Sequence, residues 1–447
     1  MDVQVLEKFL VYPSPSPFHQ RSDECHVLPL SHLDNDRNVH VPFRTLRAYA
    51  NSNPSSPHPA DPVHVISQAL SKALFYYYPV AGTLRRRPID DRLELSCAEG
   101  QGVPVIRASA DRSLAAVNYL DEPGASFLER LVPDPNSGEE LLHPLVIQIT
   151  IFACGGFSLG MCAHHSLFDG MGSTHFLGAV AGFARGAAEL AIEPIWDRAV
   201  LLGPRDPPRV EFPLSEFLSL DKEFSAYSTV EYPILRECYH VRDECVERFK
   251  GLLLEESGSS FTTFEALGAF IWRARVKASG VPSDAKVKFV YSTNIRKQVK
   301  PALPAGYWGN GCVPIYVQTS AAELVEQPVW QTAEMIKKSK RNITDEYVRS
   351  FIDFQELYYA DGITAGERVS GFTDWRHLGH SAVDFGWGGP VTVQPLSWNL
   401  LGSVEPSFFL PYSSANEGKK DGFKVLVSLP AAAVPAFKEE MEIFNSK

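Results

Sequence analysis

The chain has 447 residues, 45% hydrophobic and 21% charged, with a formal net charge of −11. That length exceeds one ordinary core and suits two domains of roughly 200 residues each. The acidic balance argues against nucleic acid as the main partner, and no apolar run reaches the ~18 residues of a membrane span.

Residues 62–78 (PVHVISQALSKALFYYY) place Val65, Ile66, Leu70, Ala73 and Leu74 at near-helical spacing, and Pro79 and Gly82 stop the helix. Residues 92–96 (RLELS) alternate as a short strand. Residues 144–153 (PLVIQITIFA) read as a buried strand rich in β-branched residues. Gly155 and Gly156 turn the chain into a second strand, which predicts a hairpin. A helix is predicted over 172–185, with Phe176, Leu177, Val180 and Ala184 along one stripe. From about 190 to 222 the periodicity stops, and Pro194, Pro204, Pro207, Pro208 and Pro213 mark a linker. The expected organisation is an N-terminal domain over 1–190, a linker over 191–222 and a C-terminal domain over 223–447. In the latter, 262–277 (TTFEALGAFIWRARVK) reads as a helix capped by Thr262 or Thr263. Residues 286–294 (KVKFVYSTN) and 422–429 (GFKVLVSL) read as strands, and 328–341 as an amphipathic helix. No internal repeat or low-complexity segment stands out.

The seven cysteines (Cys25, Cys97, Cys154, Cys162, Cys238, Cys245 and Cys312) are odd in number and include no C-x-x-C. This argues against a disulfide framework or a zinc knuckle and fits a reducing compartment. The first residues, MDVQVLEKFL, lack the basic-then-apolar pattern of a secretion signal, so the expected location is cytoplasmic.

The stretch GGFSLGMCAHHSLFDGMG, residues 155–172, fits two motifs at once. Gly156 to Gly160 spells G-x-S-x-G, the outline of a serine hydrolase elbow, which needs its serine on a sharp strand-to-helix turn. Phe157, Leu159, Met161 and Ala163 instead alternate with Ser158, Gly160, Cys162 and His164, and carry a strand straight through Ser158. His165 to Gly170 spells H-x-x-x-D-G at the strand exit, where catalytic groups concentrate. Alternation puts His164 and His165 on opposite faces. Asp169 can fix the local turn or pair with a cation. From motif shape alone, three readings stand: an acyl-transfer base, structural histidines, or metal ligands with His175 nearby.

A second motif, Asp384-Phe385-Gly386-Trp387-Gly388, lies downstream. H-x-x-x-D-G with DFGWG resembles the BAHD family of plant acyl-CoA-dependent acyltransferases. Further stretches resemble the family along nearly the whole chain: Ser31 to Asp36 (SHLDND), Tyr77 to Gly82 (YYPVAG), Glu193 to Trp196 (EPIW) and Tyr307 to Asn310 (YWGN). Condensation domains of peptide synthetases share the histidine motif but lack DFGWG.

The resemblance implies an α/β fold of two chloramphenicol-acetyltransferase-like domains, each a mixed sheet with flanking helices, joined by a crossover loop. It implies a monomer with a channel between the domains, acyl-CoA as co-substrate, no permanently bound cofactor and no metal. His165 would be the general base of direct acyl transfer. Asp169 would turn away from substrate and pair with Arg296 of Asn294-Ile295-Arg296. Trp387 and nearby backbone N–H groups are the oxyanion candidates. Asp384 is open to two readings, a second catalytic residue or a loop-forming one. Ser259, Ser260 and Thr263 resemble the region contacting CoA, and Lys286, Lys288 and Lys297 are further candidates for its phosphates. The basic run 336–341 reads as a solvated helix face, and Arg85-Arg86-Arg87 likewise as solvated charge rather than a CoA site. Shikimate-type members carry an arginine seven residues before the DFGWG aspartate; His377 stands there, beside Arg376, which argues against a shikimate or quinate acceptor. Residues 93–105 and 373–388 look most like members acting on polyamines. The expected reaction is therefore hydroxycinnamoyl transfer to an amine such as spermidine. The alternative is acetyl or benzoyl transfer to a benzyl-type or taxane hydroxyl. A reading of another class is an inactive protein that binds CoA or a metabolite.

Overall fold

The structure, a computed structural model, describes residues 1–15, 26–51, 60–134, 140–227, 232–397, 399–415 and 421–446; Cys25 lies outside them. The first half runs through strands β1 (Val3–Val11), β2 (His26–Pro29) and β3 (Pro42–Tyr49), helix α1 (Pro62–Tyr76), strands β4 (Thr83–Arg86), β5 (Leu93–Cys97), β6 (Val103–Ala110), β7 (Leu145–Phe152) and β8 (Phe157–His164), and helix α2 (Gly170–Ala184). A largely irregular stretch follows, with a short helix α3 (Arg198–Leu201) and a two-residue strand β9 (Ser219–Leu220). The second half contains β10 (Ile234–Val241), α4 (Asp243–Ser257), α5 (Thr263–Ala278), β11 (Lys286–Asn294), β12 (Cys312–Ser320), α6 (Ala321–Glu326), α7 (Val329–Ser339) and α8 (Asp345–Tyr358). It ends with β13 (Ile363–Thr364), β14 (Val369–Asp374), β15 (Thr392–Pro395), β16 (Ser407–Leu410), β17 (Phe423–Pro430) and α9 (Val434–Ser446).

Each half is built on a six-stranded mixed sheet. The first has the order β1-β6-β7-β8-β3-β15, with only β6 and β7 parallel. The second has the order β10-β17-β16-β14-β11-β12, with β14 parallel to β11 and β16. No helix among the described residues is long and apolar enough to cross a membrane.

Both faces of the first sheet are covered. Ile66, Leu70 and Leu74 of α1 and Phe176, Leu177 and Val180 of α2 share a core with Ile147, Ile149, Leu159 and Met161. Leu46, Ala48, Leu131 and Phe152 form a second core. All eight residues of β8 are therefore buried, although only every second one is strongly apolar. Gly160 shows why the intervening positions are small: a Cβ there would sit 2.1 Å from the Leu131 carbonyl oxygen. In the second half α5 opens with a capping box, Thr262 accepting the Glu265 amide while Glu265 accepts that of Thr262. Its Trp272 packs with Phe289, Phe372 and Phe437.

One strand crosses the expected boundary. β15, from within 223–447, pairs with β3 of the first sheet, Thr392 opposite Ala48 and Pro395 opposite Thr45. It is an edge strand, where a proline without an N–H is tolerated. Side chains latch it further: Thr392 Oγ1 donates to the Tyr119 carbonyl at 2.7 Å and Gln394 Nε2 to that of Leu120 at 2.6 Å.

Candidate active site

β8 ends at His164, and the chain leaves the sheet through residues 165–168 before Asp169 caps α2. The two histidines serve different ends. His164 is buried beside His40, ring centroids 6.1 Å apart, and its Nδ1 accepts the Ser166 amide. Burial pushes its pKa down to about 3, so it packs as a neutral ring. His165 instead lines a cavity of about 510 Å³ between the two sheets. Phe43, Thr45 and Met161 wall it from the first sheet, and Tyr291 and Phe372 from the second.

The His165 backbone is pinned on both sides. Its N–H donates to the Val41 carbonyl and its carbonyl accepts from Asn310 Nδ2, each at 2.9 Å. The ring meets Phe43 edge-on, with centroids 5.8 Å apart. Burial holds its pKa below the usual 6.5, against an opposing pull from the Asp169 carboxylate. The imidazole is therefore neutral at pH 7 and able to accept a proton.

Asp169 lines the same cavity, but its carboxylate is held in a cage of donors. Arg296 grips it with two N–H···O bonds, both 2.9 Å. The amides of Gly172 (2.8 Å) and Gly311 (2.9 Å) and the Cys312 thiol (3.3 Å) complete the set. Burial alone would raise the carboxyl pKa; Arg296 outweighs it and holds the group at about 2.

The motif stretches converge around this turn. Asp34 accepts both the backbone and side-chain N–H of Asn310, at 2.8 and 2.9 Å. Arg198, from the linker, donates to the Leu167 carbonyl at 2.7 Å and lies 3.9 Å from the centroid of the Trp308 ring. Trp308 in turn packs on Tyr77 and Trp196, at 5.2 and 4.9 Å. The Trp308 carbonyl lies so close to α2 that a Cβ on Gly172 would come within 1.9 Å of its oxygen. Because a backbone carbonyl cannot swing aside, Gly172→Ala should lower stability by about 3 kcal/mol or prevent folding. A urea titration would check this; a wild-type midpoint would mean that α2 can shift at no cost.

Several predicted site residues lie elsewhere. Asp384 accepts the amides of Gly386 (2.7 Å) and Gly388 (2.9 Å), and its own carbonyl accepts from Arg185. Trp387 packs on Phe157 at 5.3 Å, and Phe385 on Tyr49 at 5.5 Å. Neither Asp384 nor Trp387 lines the cavity. Both residues belong to a turn packed on the first sheet. Ser259 and Ser260 lie between α4 and α5, Thr263 starts α5 and Lys297 is exposed; none of the four lines the cavity. Their neighbours Phe264 and Lys340 do. Lys340 is thus not part of a solvated face as its basic run suggested, and its Nζ pairs with Glu265 at 2.6 Å. Lys288 is spent on the carbonyls of Phe217 and Ala365, both at 2.6 Å. His377 is exposed, and Arg376 is paired with Asp374. Ser158 is fully buried in mid-strand, with no hydrogen-bond partner for its Oγ, which removes the hydrolase elbow. Sequence reasoning missed Arg47, Trp375 and His380, all of which line the cavity.

The family model described as "Transferase family" matches residues 1–444. The chain belongs to the BAHD acyltransferases. BAHD enzymes use acyl-CoA as co-substrate. This BAHD protein is 34% identical to taxadien-5-alpha-ol O-acetyltransferase of Taxus cuspidata, over 100% of this chain and 98% of that one. It is 32% identical to spermidine sinapoyl-CoA acyltransferase of Arabidopsis thaliana, over 93% of each. Its fold matches the crystal structure of vinorine synthase with a TM-score of 0.72, at 19% identity, over 99% of this chain and 98% of that one. The BAHD relatives thus include proteins named for alcohol and for amine acceptors.

Proposed function

We propose that this BAHD enzyme moves an acyl group from acyl-CoA to the hydroxyl of a largely apolar acceptor without positive charge, with His165 as general base. One observation carries the base assignment: the neutral ring of His165 lines the cavity between the sheets while the Asp169 carboxylate is held by Arg296. His165 takes the hydroxyl proton as the acceptor oxygen bonds to the thioester carbonyl carbon. The tetrahedral adduct collapses with cleavage of the C–S bond, and His165 returns the proton to the CoA sulfur. No acyl-enzyme is needed, so Ser158 and the cysteines are bystanders.

Charge in the cavity supports the alcohol over the amine among the two acceptor classes expected from the sequence. Among the described residues, three aspartates line it: Asp36, Asp169 and Asp374. Asp169 is taken by Arg296 and Asp374 by Arg376. Burial raises the pKa of Asp36, which is occupied with the amide and side chain of Asn38. None is free for the ammonium groups of spermidine, and a buried cation without a partner is costly. An alcohol makes no such demand. Thiol release with acetyl-, benzoyl- and hydroxycinnamoyl-CoA, each against benzyl, terpenoid and fatty alcohols and spermidine, tests this. Alcohols should turn over at least about tenfold faster than spermidine. Faster spermidine turnover would reverse the acceptor assignment. No release with any acceptor, from folded protein that binds CoA, would favour a binding role.

A further inference from the structure

The wall that carries Phe43 beside His165 continues along β3 through Thr45 to Arg47, each step of two residues covering about 7 Å. Arg47 lines the cavity at 1% exposure. Its hydrogen bonds among the described residues run from Nη1 to Thr45 Oγ1 (3.1 Å) and from Nη2 to His380 Nδ1 (3.4 Å), and Nε has no partner. No carboxylate among the described residues pairs with it, whereas buried Arg198 and Arg296 face Asp34 and Asp169. Burial lowers the Arg47 pKa, and no carboxylate among the described residues opposes it.

His380 completes the corner, buried and lining the same cavity. A guanidinium only donates, so in its contact with Arg47 the acceptor is His380 Nδ1, which also lies 3.2 Å from Thr174 Oγ1. The Thr174 hydroxyl itself donates to the Gly170 carbonyl at 2.9 Å. His380 Nε2 is buried and has no partner either. Two neighbouring residues of a cavity also lined by Phe43, Trp375 and Leu378 thus hold a positive charge without a counter-ion among the described residues and two buried nitrogens without a partner. A planar anion, which only accepts, is the counter-ion that this guanidinium lacks.

We infer that the Arg47–His380 corner is a subsite for a carboxylate on a reactant, and that the acceptor brings it as a hydroxy acid. The inference deepens the alcohol-acceptor reading and rests on His165 marking the reacting end. Because Arg47 Nη1 reaches back to Thr45, the carboxylate would lie roughly 7–10 Å from the reacting oxygen. The distal carboxylate of a malonyl or succinyl thioester lies much nearer its own reacting carbon, which favours the acceptor as its source.

The test compares kcat/KM for a medium-chain ω-hydroxy acid and its methyl ester. The intact enzyme should prefer the acid at least about tenfold. Arg47→Leu should bring the acid-to-ester ratio to about one, and Arg47→Lys should keep part of the preference. If Arg47→Leu fails to fold, Arg47→Lys and His380→Phe carry the same ratio test. A ratio near one in the intact enzyme, or one unchanged in the variants, overturns the inference. A preference for malonyl- over acetyl-CoA with a neutral alcohol, lost in the variants, would keep the subsite but overturn its assignment to the acceptor. Octanoate should also raise the melting midpoint of the intact protein and not of Arg47→Leu. That shift reads the subsite even where no thiol is released, and so separates failure of the subsite from failure of the acyl-transfer reading.

Discussion

His165→Ala will lower kcat/KM by about 10²–10⁴-fold for every donor and acceptor pair that the intact protein turns over, with little change in its melting curve. The structural bonds at this position run through the backbone, to Val41 and Asn310, and alanine keeps both. What is lost is the proton acceptor. Its pKa also sets the pH profile. Burial holds it below 6.5, so the neutral, active form persists to lower pH than for a free histidine. The acidic limb of kcat/KM should then fall with a midpoint below 6.5, as the ring becomes protonated. Ser158→Ala is the matched control, and thiol release should continue at close to the intact rate. Near-normal turnover by His165→Ala, or its loss in Ser158→Ala, would end the general-base account.

Asp169→Ala will destabilise the fold by about 3–5 kcal/mol at pH 7, measured by urea unfolding. Removing the carboxylate strands Arg296, 9% exposed, and leaves the amides of Gly172 and Gly311 without their acceptor. Removing both charges in Asp169→Ala with Arg296→Met should cost less than the two single changes added together, because no buried cation is then left unpaired. The pair also has a pH signature. With the native pKa at about 2 against 3.8 for the free group, its contribution is complete above the higher value and disappears as pH falls through the lower one. A loss below about 1 kcal/mol would show that solvent reaches the pair.

Long amphipathic elements were legible in the sequence. α1, α5, the β7–β8 hairpin, β11 and β17 all lie close to where periodicity placed them, because each buries one regular face or has a glycine turn beside it. α2 begins at Gly170 rather than 172, since Asp169 is its cap as well as the partner of Arg296. β3 was not legible. In PFRTLRAY, Arg44 and Arg47 interrupt the apolar positions on both faces, and only pairing with β8 shows that Phe43, Thr45 and Arg47 share one side. The motif stretches were visible but their division of labour was not. Aspartate, aromatics and glycines in DFGWG suit a reactive loop or a packed turn equally, and tertiary packing on Phe157 and Tyr49 makes it the turn. The same holds for Lys340, whose basic neighbours disguised a side chain folded onto Glu265 at the cavity wall.

Because β15 closes the first sheet, the order of synthesis and the order of folding differ. A nascent chain has made β1, β3, β6, β7 and β8 long before residues 392–395 leave the ribosome, so β3 waits with a bare row of N–H and C=O groups along its outer side. Such an open edge invites pairing with a neighbouring chain. The sheet beneath His165 is thus finished only after nearly all of the second half has been translated, and a fragment ended in the 191–222 stretch keeps that sticky border permanently.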